Sequence, residues 1–266
     1  MNSEPLDLIP LWCFFLMTMV VGLLSVEAGY RFGNIRRGRS ADEAEEKDAP
    51  VAAMVGSILG LLAFMLAFTF SMAATRFDAR RQAVLQEANA IGTTWLRARL
   101  LPEPQRSEIT ELLRRYTELR VQKIDTVRIS ELLDESEKLH EQLWSRSVAA
   151  AAQDAGSIMT GLFLQSLNES IDLHSTRVFA GLLSRIPLTI WLALFSLNVL
   201  GMASVGYQAG LSATRRSPEV MILTLAFATV LYLNVDLDRA HEGLLHVSQQ
   251  PMINLYDTMQ AATPRD

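Results

Sequence analysis

The residues best suited to metal chemistry lie together on one predicted helix. Glu137, His140 and Glu141 form a Glu-x-x-His-Glu sequence, so a single helical turn carries two carboxylates and an imidazole. This is half of the motif that binds a carboxylate-bridged metal pair in helical bundles. The other half is missing, because Glu169 and His174 are not three residues apart. We favour a solvated charged face and expect no metal, no cofactor and no enzymatic activity, with a metal enzyme as the alternative.

The rest of the sequence adds nothing to an enzyme hypothesis. It contains no glycine-rich phosphate loop and no Gly-x-Ser-x-Gly sequence. With Cys13 as its single cysteine, the chain cannot form an intrachain disulfide. The net charge of −5 also gives no reason to expect a nucleic acid partner, since nucleic-acid binding depends on basic surfaces.

Four apolar blocks dominate the chain and indicate an integral membrane protein. A hydrocarbon core of about 30 Å needs roughly 20 apolar residues in a helix, whose backbone groups bond to one another. The blocks cover roughly Ile9–Val26, Pro50–Ala74, Ile186–Tyr207 and Val220–Val235. The polar stretch between the second and third blocks has helical periodicity and no strand signals. The predicted fold is all-α, with four transmembrane helices and a helical extramembrane insert between the second and third spans.

This pattern predicts three segments. They are a first transmembrane helix pair over 1–75, a helical extramembrane domain over 76–185, and a second transmembrane helix pair with the C-terminal tail over 186–266. The second span is expected to continue as one helix to about Leu101, because Pro102 and Pro104 then end it. The remaining helices of the insert are predicted over 103–127, 129–152 and 156–185.

Basic residues in the two short loops predict the orientation. The first loop, at about 27–49, and the loop between spans three and four carry a positive excess that the N-terminal flank lacks. The residues are Arg31, Arg36, Arg37, Arg39, Lys47, Arg215 and Arg216. By the positive-inside rule these loops are cytoplasmic, which places the insert and both termini on the non-cytoplasmic side.

Span two carries the most regular pattern. Small residues recur on it at three- and four-residue spacing, which lets helices approach closely in lipid. They are Gly56, Gly60, Ala63, Ala67, Ser71 and Ala74. A neighbouring stripe consists of Phe64, Phe68 and Thr75, with Ser71 beside it. Two interpretations stay open: helix packing with lipid contact, or a pore stripe in which the phenylalanines form a hydrophobic constriction.

Two acidic residues lie near the ends of spans. Glu27 precedes Arg31 by four residues, so the two are predicted to pair on one helical face. Asp236 stands at the exit of span four, where we expect it to be solvated at the membrane interface.

Several runs of residues resemble the bestrophin-like domain family of bacterial membrane proteins. They are Gly60-Leu61-Leu62-Ala63-Phe64, Phe68-Thr69-Phe70-Ser71, Arg76-Phe77-Asp78-Ala79-Arg80-Arg81, Glu87-Ala88-Asn89-Ala90-Ile91-Gly92 and Leu100-Leu101-Pro102. Leu237-Asp238-Arg239 resembles the second signature of the family, with Ala240 where proline is usual. The resemblance covers nearly the whole chain and makes Glu87, Asn89, Asp238 and Arg239 family-motif residues. Glu87 and Asn89 are expected to hold the helical bundle together.

The resemblance implies a function. Bestrophins are pentameric anion channels with four spans and a helical cytosolic domain, and their second span lines the pore. The family likeness therefore implies a homo-oligomer in a bacterial inner membrane, a lipid bilayer environment and inorganic anions as the permeant species. By this fold-level analogy Phe64, Phe68 and Phe70 are candidates for the constriction. The analogy places the insert in the cytosol, opposite to the charge pattern. The alternative is a non-transporting structural or sensory membrane protein that acts through the helical insert.

Overall fold

The structure is a computed structural model that describes residues 9–39, 44–122, 128–153, 156–212, 218–239 and 243–262, with side chains described for 9–38 and from residue 50 onwards. Its regular elements in these ranges are all helical. They are α1 Leu11–Arg39, α2 Ala44–Ala98, α3 Gln105–Val121, α4 Ile129–Gln153, α5 Ile158–Val178, α6 Leu188–Leu211, α7 Pro218–Asp238 and α8 Gln250–Ala262. A π-helical turn, Phe179–Leu183, follows α5.

Most of the predicted helices are confirmed, and their ends differ where tertiary contacts decide them. α2 runs unbroken through the second apolar block to Ala98, shortly before Pro102 and Pro104. α3 is shorter than predicted and ends at Val121, and residues 123–127 lie outside the described residues. The assignment of 27–49 to a loop is wrong, since α1 continues to Arg39 and α2 begins at Ala44.

The basic residues that predicted the orientation therefore lie on helices or outside the described residues. Arg31, Arg36 and Arg37 lie on α1 rather than in a loop. The chain positions of Arg39 and Lys47 fall in α1 and α2, and their side chains lie outside the described part of the structure. Arg215 and Arg216 are likewise outside it. The predicted Glu27–Arg31 pair is confirmed, with 2.7 Å between Glu27 Oε1 and Arg31 Nε.

The chain divides into two compact units, with one boundary inside α2 between Arg76 and Phe77. The apolar unit consists of Met1–Arg76 and Arg185–Leu245, and the polar unit consists of Phe77–Ser184 and His246–Asp266. Four segments of the described chain are long and apolar enough to cross a membrane. They are Leu11–Gly38, Pro50–Ala98, Ile158–Leu211 and Pro218–Asp238.

The apolar unit is built on a close crossing of α1 and α6 that depends on glycines. A Cβ atom added to Gly29 would lie 1.9 Å from the carbonyl oxygen of Ala203, and one added to Gly206 would lie 2.0 Å from that of Val26. Gly33 meets the carbonyl of Tyr207 in the same way, at 2.3 Å. Small residues four apart allow backbones to approach this closely in a membrane helix pair. Real side chains at these positions would force α1 and α6 apart.

The polar unit has its own hydrophobic core, to which the second half of α2, α3, α4, α5 and α8 all contribute. Its members are Ile91 and Trp95 of α2, Ile109, Leu113 and Tyr116 of α3, Leu139 and Leu143 of α4, Phe163 and Leu167 of α5, and Met252 and Met259 of α8. The residues from α2, α3, α4 and α5 are three or four apart and the two methionines of α8 are seven apart, and both spacings keep side chains on one helical face. Thr94 of α2 also donates a hydrogen bond of 2.9 Å to the carbonyl of Ser166, which fixes α2 against α5.

Candidate functional site

One face of α2 in the apolar unit is exposed along its length in the single chain. Its phenylalanines are the most prominent members, with Phe64 66% and Phe68 54% exposed. The face also carries Gly56, Gly60, Ala63, Ala67, Ser71 and Thr75, which are all exposed. Added Cβ atoms at Gly56 and Gly60 would meet nothing within 4 Å. The small residues Gly56, Gly60, Ala63, Ala67 and Ser71 thus lie on an open face of the described chain.

The opposite face of α2 anchors the helix. Leu62 and Leu66 are buried, as are Thr69 and Ala73. An α-helix turns by about 100° per residue, so Phe64 points about 200° away from both leucines, which lie two residues to either side. The phenylalanine stripe is therefore directed away from the rest of the chain.

Phe70 does not belong to this stripe. It is 42% exposed, but two residues, or about 200° of rotation, separate it from Phe68. The expectation that Phe64, Phe68 and Phe70 share one constriction is therefore wrong for Phe70, since a straight helix cannot direct all three side chains to one axis. Phe64, Phe68, Ser71 and Thr75 remain the candidates.

A second cluster lies at the centre of the polar unit, around the carboxylate of Glu87. Glu87 is fully buried on α2. Arg120 of α3 places its Nε atom 3.1 Å from Glu87 Oε1, and Arg177 of α5 donates a hydrogen bond from Nη1 to Glu87 Oε2. The Tyr116 hydroxyl donates to Oε1 at 2.8 Å. One carboxylate thus joins α2, α3 and α5.

The cluster extends outwards from these groups. The Tyr116 oxygen also lies 3.0 Å from Nδ1 of His174, and Arg177 Nη2 donates to Gln249 Oε1 at 2.7 Å. Burial raises the pKa of Tyr116 well above its ordinary value, and the negative charge of Glu87 acts in the same direction. Tyr116 is therefore a neutral hydrogen-bond donor at physiological pH.

His140 of α4 completes the cluster through ring contacts. Its ring centroid lies 4.7 Å from that of Tyr116 and 4.9 Å from that of His174. Burial lowers the pKa of His140 to about 4, and His174 and Arg120 add to the effect while Glu87 opposes it. The His140 imidazole is therefore neutral in the folded protein near pH 7.

The structure separates the three residues of the Glu-x-x-His-Glu sequence. His140 is partly buried against Tyr116 and His174, whereas Glu137 and Glu141 are exposed. No group of three or more histidine, cysteine, aspartate or glutamate side chains that could hold a metal ion occurs among the described residues. The imidazole and the two carboxylates of this sequence thus have different surroundings.

The family-motif residues have different surroundings. Asn89 is exposed on α2, so the expectation that it holds the bundle together is wrong within the single chain. Asp238 Oδ1 accepts a hydrogen bond of 3.1 Å from the backbone N–H of Ile186, and Arg239 Nη2 donates to the carbonyl of Ile9 at 2.5 Å. These two residues tie the end of α7 to neighbouring segments of the apolar unit. Ala240 lies outside the described residues.

Asp236 is fully buried, so the expectation of a solvated side chain is wrong. Its Oδ1 accepts a hydrogen bond of 2.8 Å from the backbone N–H of Leu244. Gly243, with φ of +135°, precedes that N–H, and an added Cβ would lie 1.8 Å from Asp236 Oδ1. The chain after α7 therefore folds back over the carboxylate, an arrangement that helical periodicity does not predict.

The sequence pattern pointed to Glu87 but to none of its partners. Weak local signals exist, because Tyr116 and Arg120 are four residues apart and His174 and Arg177 are three apart, so each pair shares a helical face. The glycines at the α1–α6 crossing carried a clearer signal. Gly29 with Gly33 and Gly206 with Gly210 are both Gly-x-x-x-Gly pairs.

Comparisons with known proteins agree with this architecture. The model of the bestrophin-like domain family matches residues 16–252. A crystal structure of a point variant of a bacterial bestrophin homologue from Klebsiella pneumoniae superimposes with a TM-score of 0.64 and 17% identity, covering 93% of this chain and 99% of that one. Another variant gives a TM-score of 0.64 with 15% identity, covering 93% and 97%.

A third crystal structure, described as a variant of a membrane protein, gives a TM-score of 0.57 with 17% identity and covers 94% of this chain and 98% of that one. No curated protein matches the sequence. At such identities the structural likeness establishes the fold.

Proposed function

The chain belongs to the bestrophin-like domain family, and we propose that this membrane protein forms a homo-oligomeric channel for inorganic anions with α2 nearest the pore axis. The observation that carries the proposal is the exposed face of α2. An apolar stripe that points away from its own chain requires lipid or another subunit against it. Small residues beside it suit close subunit contact, and the phenylalanines suit a constriction.

In this arrangement the phenylalanines control permeation by dewetting. A ring of apolar side chains in a narrow pore expels water, so an ion must shed part of its hydration to pass. Ser71 and Thr75 follow the phenylalanines on the same face and supply hydroxyl groups to a hydrated ion. No charged residue of α2 is needed at the constriction.

The experiment is a chloride efflux assay on the purified protein in liposomes. Phe68→Ala should increase the efflux rate per protein, because the smaller side chain widens and wets the constriction. Phe70→Ala is the matched control, since it removes the same side chain from an exposed position of α2 that points elsewhere. An efflux rate that Phe68→Ala and Phe64→Ala leave unchanged, from well-folded protein, would remove the stripe from the permeation path.

The oligomeric state is tested separately by native mass spectrometry from nanodiscs. A closed ring of about five subunits is the expected result for a bestrophin-like arrangement. A monomer or dimer would contradict a shared axial pore, since four spans per chain do not enclose one.

We further propose that the polar unit lies on the non-cytoplasmic side of a bacterial inner membrane. The support is the basic C-terminal end of α1, with Arg36 and Arg37, which the positive-inside rule places in the cytoplasm. A single cysteine introduced as Glu118→Cys, in a Cys13→Ser background, reports the side directly. Reaction with an impermeant maleimide in spheroplasts is expected, and reaction only after permeabilisation would reverse the orientation.

A non-transporting sensory or structural role is the second candidate. The observation in its favour is the continuity of α2 from the apolar segment to Ala98, where it contributes Glu87 and Trp95 to the polar unit. An assembled, folded protein without any ion flux in liposomes would favour this role over the channel.

A further inference from the structure

Two imidazole rings meet inside the core of the polar unit. His140 of α4 contacts His174 of α5 edge to face, with 4.9 Å between ring centroids and 85° between ring planes. The His140 ring also lies against Tyr116 of α3, with 4.7 Å between ring centroids. Its Nε2 atom is buried and has no hydrogen-bond partner among the described residues. A proton added at this nitrogen would therefore gain no acceptor in the folded protein.

The cluster around His140 already carries an excess of positive charge. Tyr116 of α3 and His174 of α5 contact its ring, and Glu87 of α2 and Arg120 of α3 act on it electrostatically. Arg177 of α5 belongs to the cluster through its ion pair with Glu87. Two guanidinium groups and one carboxylate leave one uncompensated positive charge, and the Glu87 carboxylate is fully engaged by Arg120, Arg177 and Tyr116. On α4 itself, Glu137 and Glu141 are exposed. An imidazolium at position 140 would thus add a second excess positive charge to a buried cluster.

We propose that His140 makes the polar unit acid-sensitive: protonation of its imidazole weakens the packing of α4 against α3 and α5 and opens this part of the fold. The device needs no ligand. It is independent of the proposed channel, since it concerns the stability of the polar unit alone.

The direction and the size of the pH effect on the stability of the closed state follow from proton linkage. The pKa of His140 falls from an ordinary 6.5 to about 4 in the folded protein. Between these values the open state binds more protons than the closed state, so stability of the closed state decreases as pH falls from about 6.5 to about 4. The opening equilibrium constant should rise by up to about 20-fold between pH 7 and pH 5. Solvent reaching the partly exposed ring would reduce that figure.

The test is hydrogen–deuterium exchange of the purified full-length protein in detergent, with rates corrected for the intrinsic pH dependence. Peptides from α4 and from the facing turns of α3 and α5 should lose protection between pH 7 and pH 5. His140→Phe keeps an aromatic ring in the cluster and removes the titrating nitrogen, so its protection should not change over this range. His246→Gln, at an exposed histidine of the same unit, should behave as the wild type.

Loss of protection that His140→Phe and His140→Gln fail to suppress would overturn the proposal, as would a wild type whose protection in α4 does not change. If both variants unfold already at pH 7, the decision passes to an NMR titration of ¹³C-labelled histidine in the wild type. A midpoint for His140 well below 6.5 supports the proposal, and a midpoint near that ordinary value refutes it.

Discussion

Replacement of Glu87 by glutamine should destabilise the polar unit far more than an ordinary surface substitution. The side chain is fully buried and is the acceptor for Arg120, Arg177 and Tyr116. Glutamine has the same shape and leaves no cavity, so the cost comes from the charge. Two buried guanidinium groups would face a neutral amide, and removal of one partner from a buried ion pair costs about 3–5 kcal/mol.

The assay is hydrogen–deuterium exchange at neutral pH, followed on peptides of α3 and α5. A loss of about 3 kcal/mol corresponds to an opening equilibrium constant roughly 100-fold larger. Glu111→Gln is the matched control, because Glu111 pairs with Arg114 at 2.6 Å but its side chain is 51% exposed. Exposed pairs contribute about 0–1 kcal/mol, so this control should change protection little.

The result that would refute the reasoning is equal protection in Glu87→Gln and Glu111→Gln. It would mean that water or a rearranged arginine compensates the lost carboxylate, and that the cluster does not join α2, α3 and α5 energetically. A larger loss in α3 and α5 than in α8 is also expected, because α3 and α5 hold the arginines that bind Glu87, whereas the link towards α8 runs through Arg177 to Gln249, the residue before that helix.

Further outcomes concern the apolar unit. Gly206→Val should abolish the folded protein, because its Cβ would lie 2.0 Å from the carbonyl oxygen of Val26, well inside contact distance. The yield of detergent-soluble monodisperse protein measures this. Gly60→Val should leave the single chain folded, since nothing lies within 4 Å of an added Cβ, and should instead lower the oligomer mass measured from nanodiscs. Asp236→Ala should lower the folding stability by about 1–3 kcal/mol, because it leaves the N–H of Leu244 unpaired. A lower thermal unfolding midpoint is the expected result. An unchanged midpoint would mean that water replaces the carboxylate.

Sequence periodicity determined the helices well because it records which residues share a face. The apolar blocks, the prolines after α2 and the three- and four-residue spacing in α3 and α4 are local properties, and each is visible within a single helical segment. The same local logic predicted the Glu27–Arg31 pair and the stripe of Phe64 and Phe68 on α2. The family resemblance, carried by short runs of neighbouring residues, was also accessible from the sequence.

What periodicity does not record is which helix meets which face. The sequence contains two sets of glycines with the spacing of a close helix crossing. Only the tertiary structure assigns that crossing to Gly29 and Gly206 and leaves Gly60 exposed. Glu87 pairs with Arg120 and Arg177, which lie 33 and 90 residues later in the chain on separate helices. Asp236 is buried because the chain turns back over it after α7. Helical spacing specifies the direction of a side chain relative to its own axis, but burial and pairing depend on the arrangement of the other helices, which long-range packing alone decides.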